Sequence, residues 1–290
     1  MAPSIKYVPF KGPREVGWLL ADLFGLYWSY NADSFLFEWL QNTIDLQVCC
    51  NDSTLEKIKF PTSKALLEVI RECPKLCFPE NTFRGIPTDF GFTGFMDNAM
   101  DEVSEKVDIT QPELFHGPLL DILNAGIVVD CHRRILGNQF FQYSPDHWLC
   151  TLRDHSSPHD PRQAEGNRKD YFLKSELMGI TAMMYRQMNE MVWIPKENNY
   201  RARMRYKGGL LTVTTVTFIP GKVRVVQATC RPSDPLPTLT LTLRAIYTLG
   251  TDTYNKNTAF EVLQWILSPP DAPPPANELE TPIRSKKLAC

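Results

Sequence analysis

Apolar residues along this chain change their spacing partway. In the first 125 positions they recur mostly at steps of three and four, the signature of helices with one buried face; after residue 210 they alternate or run together, as in strands. Trp18, Leu19, Leu23 and Leu26 predict a helix over 13–30. Phe35, Trp39, Leu40 and Ile44 predict a second over 34–48, with Ser34 as its N-cap. TSKALLEVIREC (62–73) predicts an amphipathic helix that Thr62 caps, that packs through Leu66, Leu67, Val69 and Ile70, and that Pro74 stops. ENTFRGIPTDFGFTGF (80–95) reads as a loop punctuated by Gly and Pro, 112–125 as a helix, and GIVVDC (126–131) as a short strand.

RDHSSPHDPRQAEGNRKD (153–170) is polar and proline-containing, a loop and the one candidate sub-boundary. YFLKSELMGITAMMYRQMNEM (171–191) follows as a long helix, with Leu173, Leu177, Ile180, Met184, Met188 and Met191 as an apolar stripe. LLTVTTVTFI (210–219), KVRVVQATC (222–230) and TLTLTLRAIYTL (238–249) predict strands. Pro220-Gly221 predicts a tight hairpin between the first two. Leu239, Leu241 and Leu243 alternate with Thr240, Thr242 and Arg244, the pattern of a half-buried strand. A helix over 258–267 precedes a proline-rich tail, PPDAPPPANELETPIRSKKLAC. The expected fold class is α+β, with a helical N-terminal half and an antiparallel sheet flanked by helices in the C-terminal half. One domain over 1–268 and a disordered tail over 269–290 are expected.

With 43% apolar and 22% charged residues, the composition is that of an ordinary globular chain that needs no metal or disulfide staple. No apolar run is long enough to span a membrane, and the N-terminus lacks the pattern of a signal peptide, so a soluble, cytoplasmic protein is expected. The eight cysteines then stay reduced, and no C-x-x-C pair occurs. Charge is unevenly spread. Residues 1–110 carry 10 Lys/Arg against 16 Asp/Glu, a net −6, whereas residues 198–233 carry seven cations and no acid. Attraction between the two halves, or an anion-binding face, accounts for such a split.

Two stretches hold candidate chemistry. DCHRRILGNQFFQYSPDHWLCTLRDHSSPHD (130–160) contains four of the five histidines. His132, His147, His155, Cys150 and Asp154 supply the residue types of nucleophile–base catalysis, although no local signature selects a set. Cys150, His155 and His159 have C-x4-H-x3-H spacing, but Pro158 interrupts it and no second ligand pair exists, so no metal is expected. Phosphate-cradling glycine motifs are absent, and no cofactor is expected. In YRARMRYKGG (200–209), Arg201, Arg203, Arg205 and Lys207 alternate with other residues, so an extended strand would put all four cations on one face to receive phosphate or carboxylate. A sequence pI near 6.2 argues against a dedicated nucleic-acid binder. The five methionines Met178, Met183, Met184, Met188 and Met191 suit adaptable core packing or a partner surface.

Over residues 171–268, KSELMGITAMMYRQM followed by a hairpin, a third strand and a short helix ending in WILSPP resembles uncharacterised proteins of filamentous fungi. The resemblance implies a small α+β domain and no particular activity, cofactor or catalytic residue. Three functional expectations follow. The first is an accessory or interaction protein with a protein partner or acidic ligand, in the context of fungal specialised metabolism. The second is an enzyme built on 130–160. The third is an anion- or nucleic-acid-binding module built on Arg201–Lys207.

Overall fold

A computed structural model describes residues 12–42, 46–76, 88–107, 117–128, 134–155, 169–250 and 253–272. Its centre is a seven-stranded sheet. In chain order the strands among the described residues are β1 (Ser34–Leu36), β2 (Gln47–Asp52), β3 (Ile127–Val128), β4 (Arg134–Ser144), β5 (His147–Asp154), β6 (Tyr171–Leu173), β7 (Asn189–Ile194), β8 (Asn199–Met204), β9 (Leu211–Ile219), β10 (Lys222–Cys230) and β11 (Thr238–Thr248). The large sheet has the order β2-β11-β10-β9-β5-β4-β3, while β1-β6 and β7-β8 form two small ladders.

The sheet is mixed, not the antiparallel sheet expected. β5 runs parallel to β9, and β2 parallel to β11. Parallel partners need long crossovers, and between β5 and β9 the chain passes over the sheet as a helix. The N-terminal half is also less helical than its spacing suggests. Residues 34–48 form β1, a five-residue helix and the start of β2 in place of one helix, because Ser34–Leu36 is recruited as partner of Tyr171–Leu173. β4 and β5, an antiparallel hairpin turning at Pro145-Asp146, were not expected as strands at all. Strands on both sides of the possible sub-boundary at 153–170 share the large sheet.

Helices cover both faces. Among the described residues they are α1 (Pro13–Ser29), α2 (Phe37–Gln41), α3 (Lys64–Glu72), α4 (Thr88–Val107), α5 (Pro118–Ala125), α6 (Lys174–Met188) and α7 (Lys256–Leu267). α6 lies on β5 and β9 and is itself covered by α1 and α5. It is therefore buried all round and not along one stripe; only Tyr185 and Arg186 escape full burial. The first core joins it to Trp148, Cys150, Leu152, Val213, Val226 and the Leu239/Leu241/Leu243 row. The opposite core joins α3, α4 and α7 to Leu149, Val216, Phe218, Val223 and Val225. Because β9 and β10 are covered on both faces, LTVTTVTFI and KVRVVQATC are apolar or threonine-rich at nearly every position.

Local chemistry explains several boundaries. Ser63, one position after the expected cap, accepts from Leu66 N at the start of α3. Gly221, at φ +70°, turns the β9–β10 hairpin. α4 occupies part of the expected 80–95 loop, because Met96, Ala99, Met100 and Val103 recur at helical spacing and their burial overrides the glycines. On α1 the buried side is Val16, Leu20, Leu23, Phe24 and Tyr27, whereas Trp18 and Leu26 face outward. The chain stays packed past the expected end at 268. Pro269 and Pro270 are buried, and Pro270 O accepts a 2.7 Å bond from the Gln227 amide.

Candidate anion-binding site

β5 separates the described candidates from 130–160. Side chains alternate along a strand, so Trp148, Cys150, Leu152 and Asp154 face α6, whereas His147 and Leu149 face the other core. Cys150 is fully buried, and burial pushes its thiol far up from its ordinary range. Asp154 is buried and accepts a 2.5 Å bond from Ser175 on α6. His155 follows it, half-buried. On the opposite face His147 Nε2 lies 3.0 Å from Thr214 Oγ1, which itself accepts from Gln227 Nε2 at 3.2 Å. Burial lowers His147 to about 4, with Asp271 pulling the other way, so the ring is neutral at pH 7. His147 therefore shares no pocket with Cys150 or Asp154. Cys131, His116, His132 and His159 lie outside the described residues, among which no group of three or more His, Cys, Asp or Glu is arranged to hold a metal ion.

The arginine stretch divides as well. β8 ends at Met204, so four cations do not share one strand face. Arg201 pairs with Glu197 at 2.7 Å, and Arg203 pairs with Glu190. Inside the molecule Arg224 pairs with Glu176. These carboxylates come from residues 176–197, so the acidic N-terminal half is not their source. Arg205 and Lys207 have no ion pair among the described residues, and both line a cleft of about 700 Å³.

Four elements converge on this cleft. The β4–β5 turn brings Pro145 and Asp146, the last turn of α6 brings Gln187, β7 brings Glu190, and the β8–β9 loop brings residues 205–208, flanked by Met204 at the end of β8 and Leu211 at the start of β9. Met188 O fixes the loop by accepting from both Arg205 N (2.9 Å) and Tyr206 N (3.2 Å). Gly208 and Gly209 then turn it at φ +117° and +108°, conformations that other residues rarely adopt. Tyr206 Oη closes the turn by donating to Gly209 O at 2.7 Å.

Charged side chains of both signs line the cleft. Arg203 satisfies Glu190 and holds its carboxyl below the usual range. Arg205 lies over the Trp148 ring, 5.7 Å from its centroid, and Arg186 lies 5.9 Å from the same ring. Burial lowers the Arg186 guanidinium, and the charge of Arg205 lowers it further. Glu190 acts against both effects, and Arg186 Nη1 donates to Asn189 O at 2.8 Å. Gln187 is 3% exposed; its Nε2 donates to Thr212 O at 3.1 Å, while its Oε1 is buried with no partner. An acceptor placed like this calls for a hydroxyl or N–H.

The sequence points to Arg205 and Lys207 as anion-binding residues and offers Asp146 only as one acid of the 130–160 stretch; Gln187 and Glu190 were not anticipated. Gln187 did carry a signal, being a polar residue between Met184 and Met188 on an apolar helix. No protein-family model, curated protein or solved structure matches this chain. Among the described residues no helix is long and apolar enough to cross a membrane.

Proposed function

We propose that this chain is a binding protein for a small hydroxylated carboxylate, held in the cleft between the β4–β5 turn, α6 and the β8–β9 loop. The observation that carries the reading is the pairing of an unpartnered buried acceptor, Gln187 Oε1, with two cations that lack ion pairs, Arg205 and Lys207. The carboxylate would lie against Arg205 and Lys207, and the ligand hydroxyl would donate to Gln187. Of the catalytic candidates, the described ones, His147, Cys150, Asp154 and His155, do not line this cleft, which supports an accessory role over an enzyme. A cytoplasmic setting and a place beside fungal specialised metabolism belong to the same proposal, supported by the resemblance of residues 171–268.

Calorimetric titration with L-malate and succinate tests it. Malate has the hydroxyl, succinate lacks it, and malate is expected to bind more tightly by about tenfold, the worth of one satisfied buried acceptor. Arg205→Ala and Lys207→Ala alter exposed side chains and should each weaken malate binding. Equal binding of the two acids, or unchanged malate binding in both variants, refutes the proposal.

A further inference from the structure

A second cleft, of about 520 Å³, opens at the β2 edge of the sheet, and it is built differently. β2 accompanies β11 only as far as Leu243, where Ser53 N donates to Leu243 O at 3.0 Å. β11 continues to Thr248, and among the described residues no strand pairs with 244–248 on that side. The segment after β2, α7 and Lys169 enclose the resulting gap. Arg244 sits where the β10–β11 register shifts: Val225 opposes Ala245 and Val226 opposes Leu243, which leaves Arg244 as the extra residue. Such a bulge re-aims a side chain, and here Arg244 lines the cleft.

The guanidinium is unsatisfied. Arg244 is 7% exposed, and its Nε and Nη1 are buried without a hydrogen-bond partner. The Trp265 ring, 6.0 Å from the guanidinium carbon, supplies a π-face but no acceptor, and Trp265 Nε1 donates to Tyr247 Oη at 2.9 Å. Burial lowers Arg244 from its ordinary range, with Glu56 acting against that shift. Arginine stays protonated even so, and a buried cation without an acceptor is costly. Elsewhere in this molecule the same problem is solved internally, by Glu176 for Arg224. At Arg244 no carboxylate is within ion-pair distance among the described residues.

We propose that this cleft binds a small amino-acid-like zwitterion, a carboxylate that also carries an ammonium group. The ligand carboxylate completes Arg244. The ammonium group faces Glu56 and Glu261, exposed carboxylates that line the same cleft. Two cations, Arg244 and Lys169, stand against two carboxylates, so a ligand with no net charge preserves the balance, whereas a multiply charged anion would meet both glutamates. The half-buried side chains of Ile58, Phe60 and Ile246 give the ligand an apolar wall for a side chain.

Calorimetry with L-phenylalanine as the probe tests the inference, with phenylacetate (no ammonium) and phenethylamine (no carboxylate) as controls. Phenylalanine should bind, and each control should bind at least about tenfold more weakly, since each loses one charge-assisted contact. Arg244→Gln should weaken phenylalanine binding by about tenfold or more without lowering Tm, because it removes an unpartnered charge. Glu261→Gln, at the exposed rim, should weaken phenylalanine binding and leave phenylacetate binding unchanged. Arg205→Ala, in the other cleft, should leave phenylalanine binding unchanged. No heat with phenylalanine at millimolar concentrations overturns the proposal. So does equal binding of phenylacetate, or a loss of phenylalanine binding through Arg205→Ala instead of Arg244→Gln.

Discussion

Glu176→Ala should be among the most destabilising single changes in this protein. Arg224, 1% exposed, donates from Nε to Glu176 Oε1 at 2.7 Å and from Nη2 to Glu176 Oε2 at 3.3 Å. Its Nη2 also reaches Tyr171 O at 2.9 Å, and the guanidinium lies 4.7 Å from the centre of the Tyr171 ring. Burial lowers the Arg224 pKa, but the charge and hydrogen bonds of Glu176 outweigh it and the net shift is upward. Glu176 Oε2 accepts from Leu173 N at 2.7 Å, so the same carboxylate also caps α6. Removing it leaves a buried cation unpaired, at about 3–5 kcal/mol, and loses a cap worth about 1 kcal/mol. Against a typical total of about 5–15 kcal/mol, that endangers folding. The informative experiment is a double-mutant cycle with the milder Glu176→Gln, Arg224→Met and their combination, followed by urea denaturation with the m-value checked for two-state behaviour. The double variant should be less destabilised than the sum of the singles by about 2–3 kcal/mol, because the second change removes the charge that the first stranded. Additivity within about 0.5 kcal/mol would show that the pair is not coupled and refute the reasoning.

Three further outcomes are expected. Burial lowers His147 from its ordinary 6.5 to about 4, so the unfolded chain takes up a proton that the folded one refuses; stability should be fully present above pH 6.5 and fall between about 6.5 and 4. The His147 contribution over that window is of the order of 2–3 kcal/mol, and His147→Gln, compared with wild type by denaturation at each pH, should be less acid-sensitive; parallel curves would contradict it. Gly250→Ala would place its Cβ 2.9 Å from Gly221 Cα, backbone that cannot swing away, so a loss of about 1–3 kcal/mol is expected and an unchanged Tm would refute it. Truncation after Ser268 removes Pro270 O from the Gln227 amide, so the midpoint in urea should fall by the equivalent of about 1–3 kcal/mol; an unaltered midpoint would show that this contact contributes nothing.

Where the chain satisfies local rules, its sequence already shows the structure. KVRVVQATC is the whole of β10, and Pro220-Gly221 marks the turn before it. The amphipathic stretch around Leu66 and Ile70 becomes α3 within two residues of its predicted ends. Long-range pairing is what local spacing cannot carry. Phe35 has the spacing of a helix but sits opposite Phe172 in a ladder, and β2 becomes a strand only because β11 offers an edge. Of the expected stripe, Leu177, Ile180, Met184 and Met188 lie on α6, while Leu173 and Met191 fall on β6 and β7, and local spacing did not show the α1 and α5 cover that buries the helix's other sides. At the site, charge spacing pointed to Arg205 and Lys207. It could not show that Glu197 and Glu190 would neutralise Arg201 and Arg203, since that depends on the β7–β8 hairpin. The importance of Arg244 was hidden for the same reason. The Leu-Thr alternation points it away from Leu243, but only the bulge against β10 carries it into a cleft.

The parallel pairing of β2 with β11 has a consequence for the making of the protein. Gln47–Asp52 leaves the ribosome with its backbone groups unmatched, and its partner Thr238–Leu243 is synthesised about 190 residues later. At about 5–20 residues per second, that strand waits for some ten seconds or longer. β5 waits similarly, though more briefly, for β9. A nascent chain so dependent on its last strands holds sticky, half-formed surface through most of translation, so yield in a cell should respond to holdase chaperones and to slower growth temperature more than the finished fold's stability would suggest.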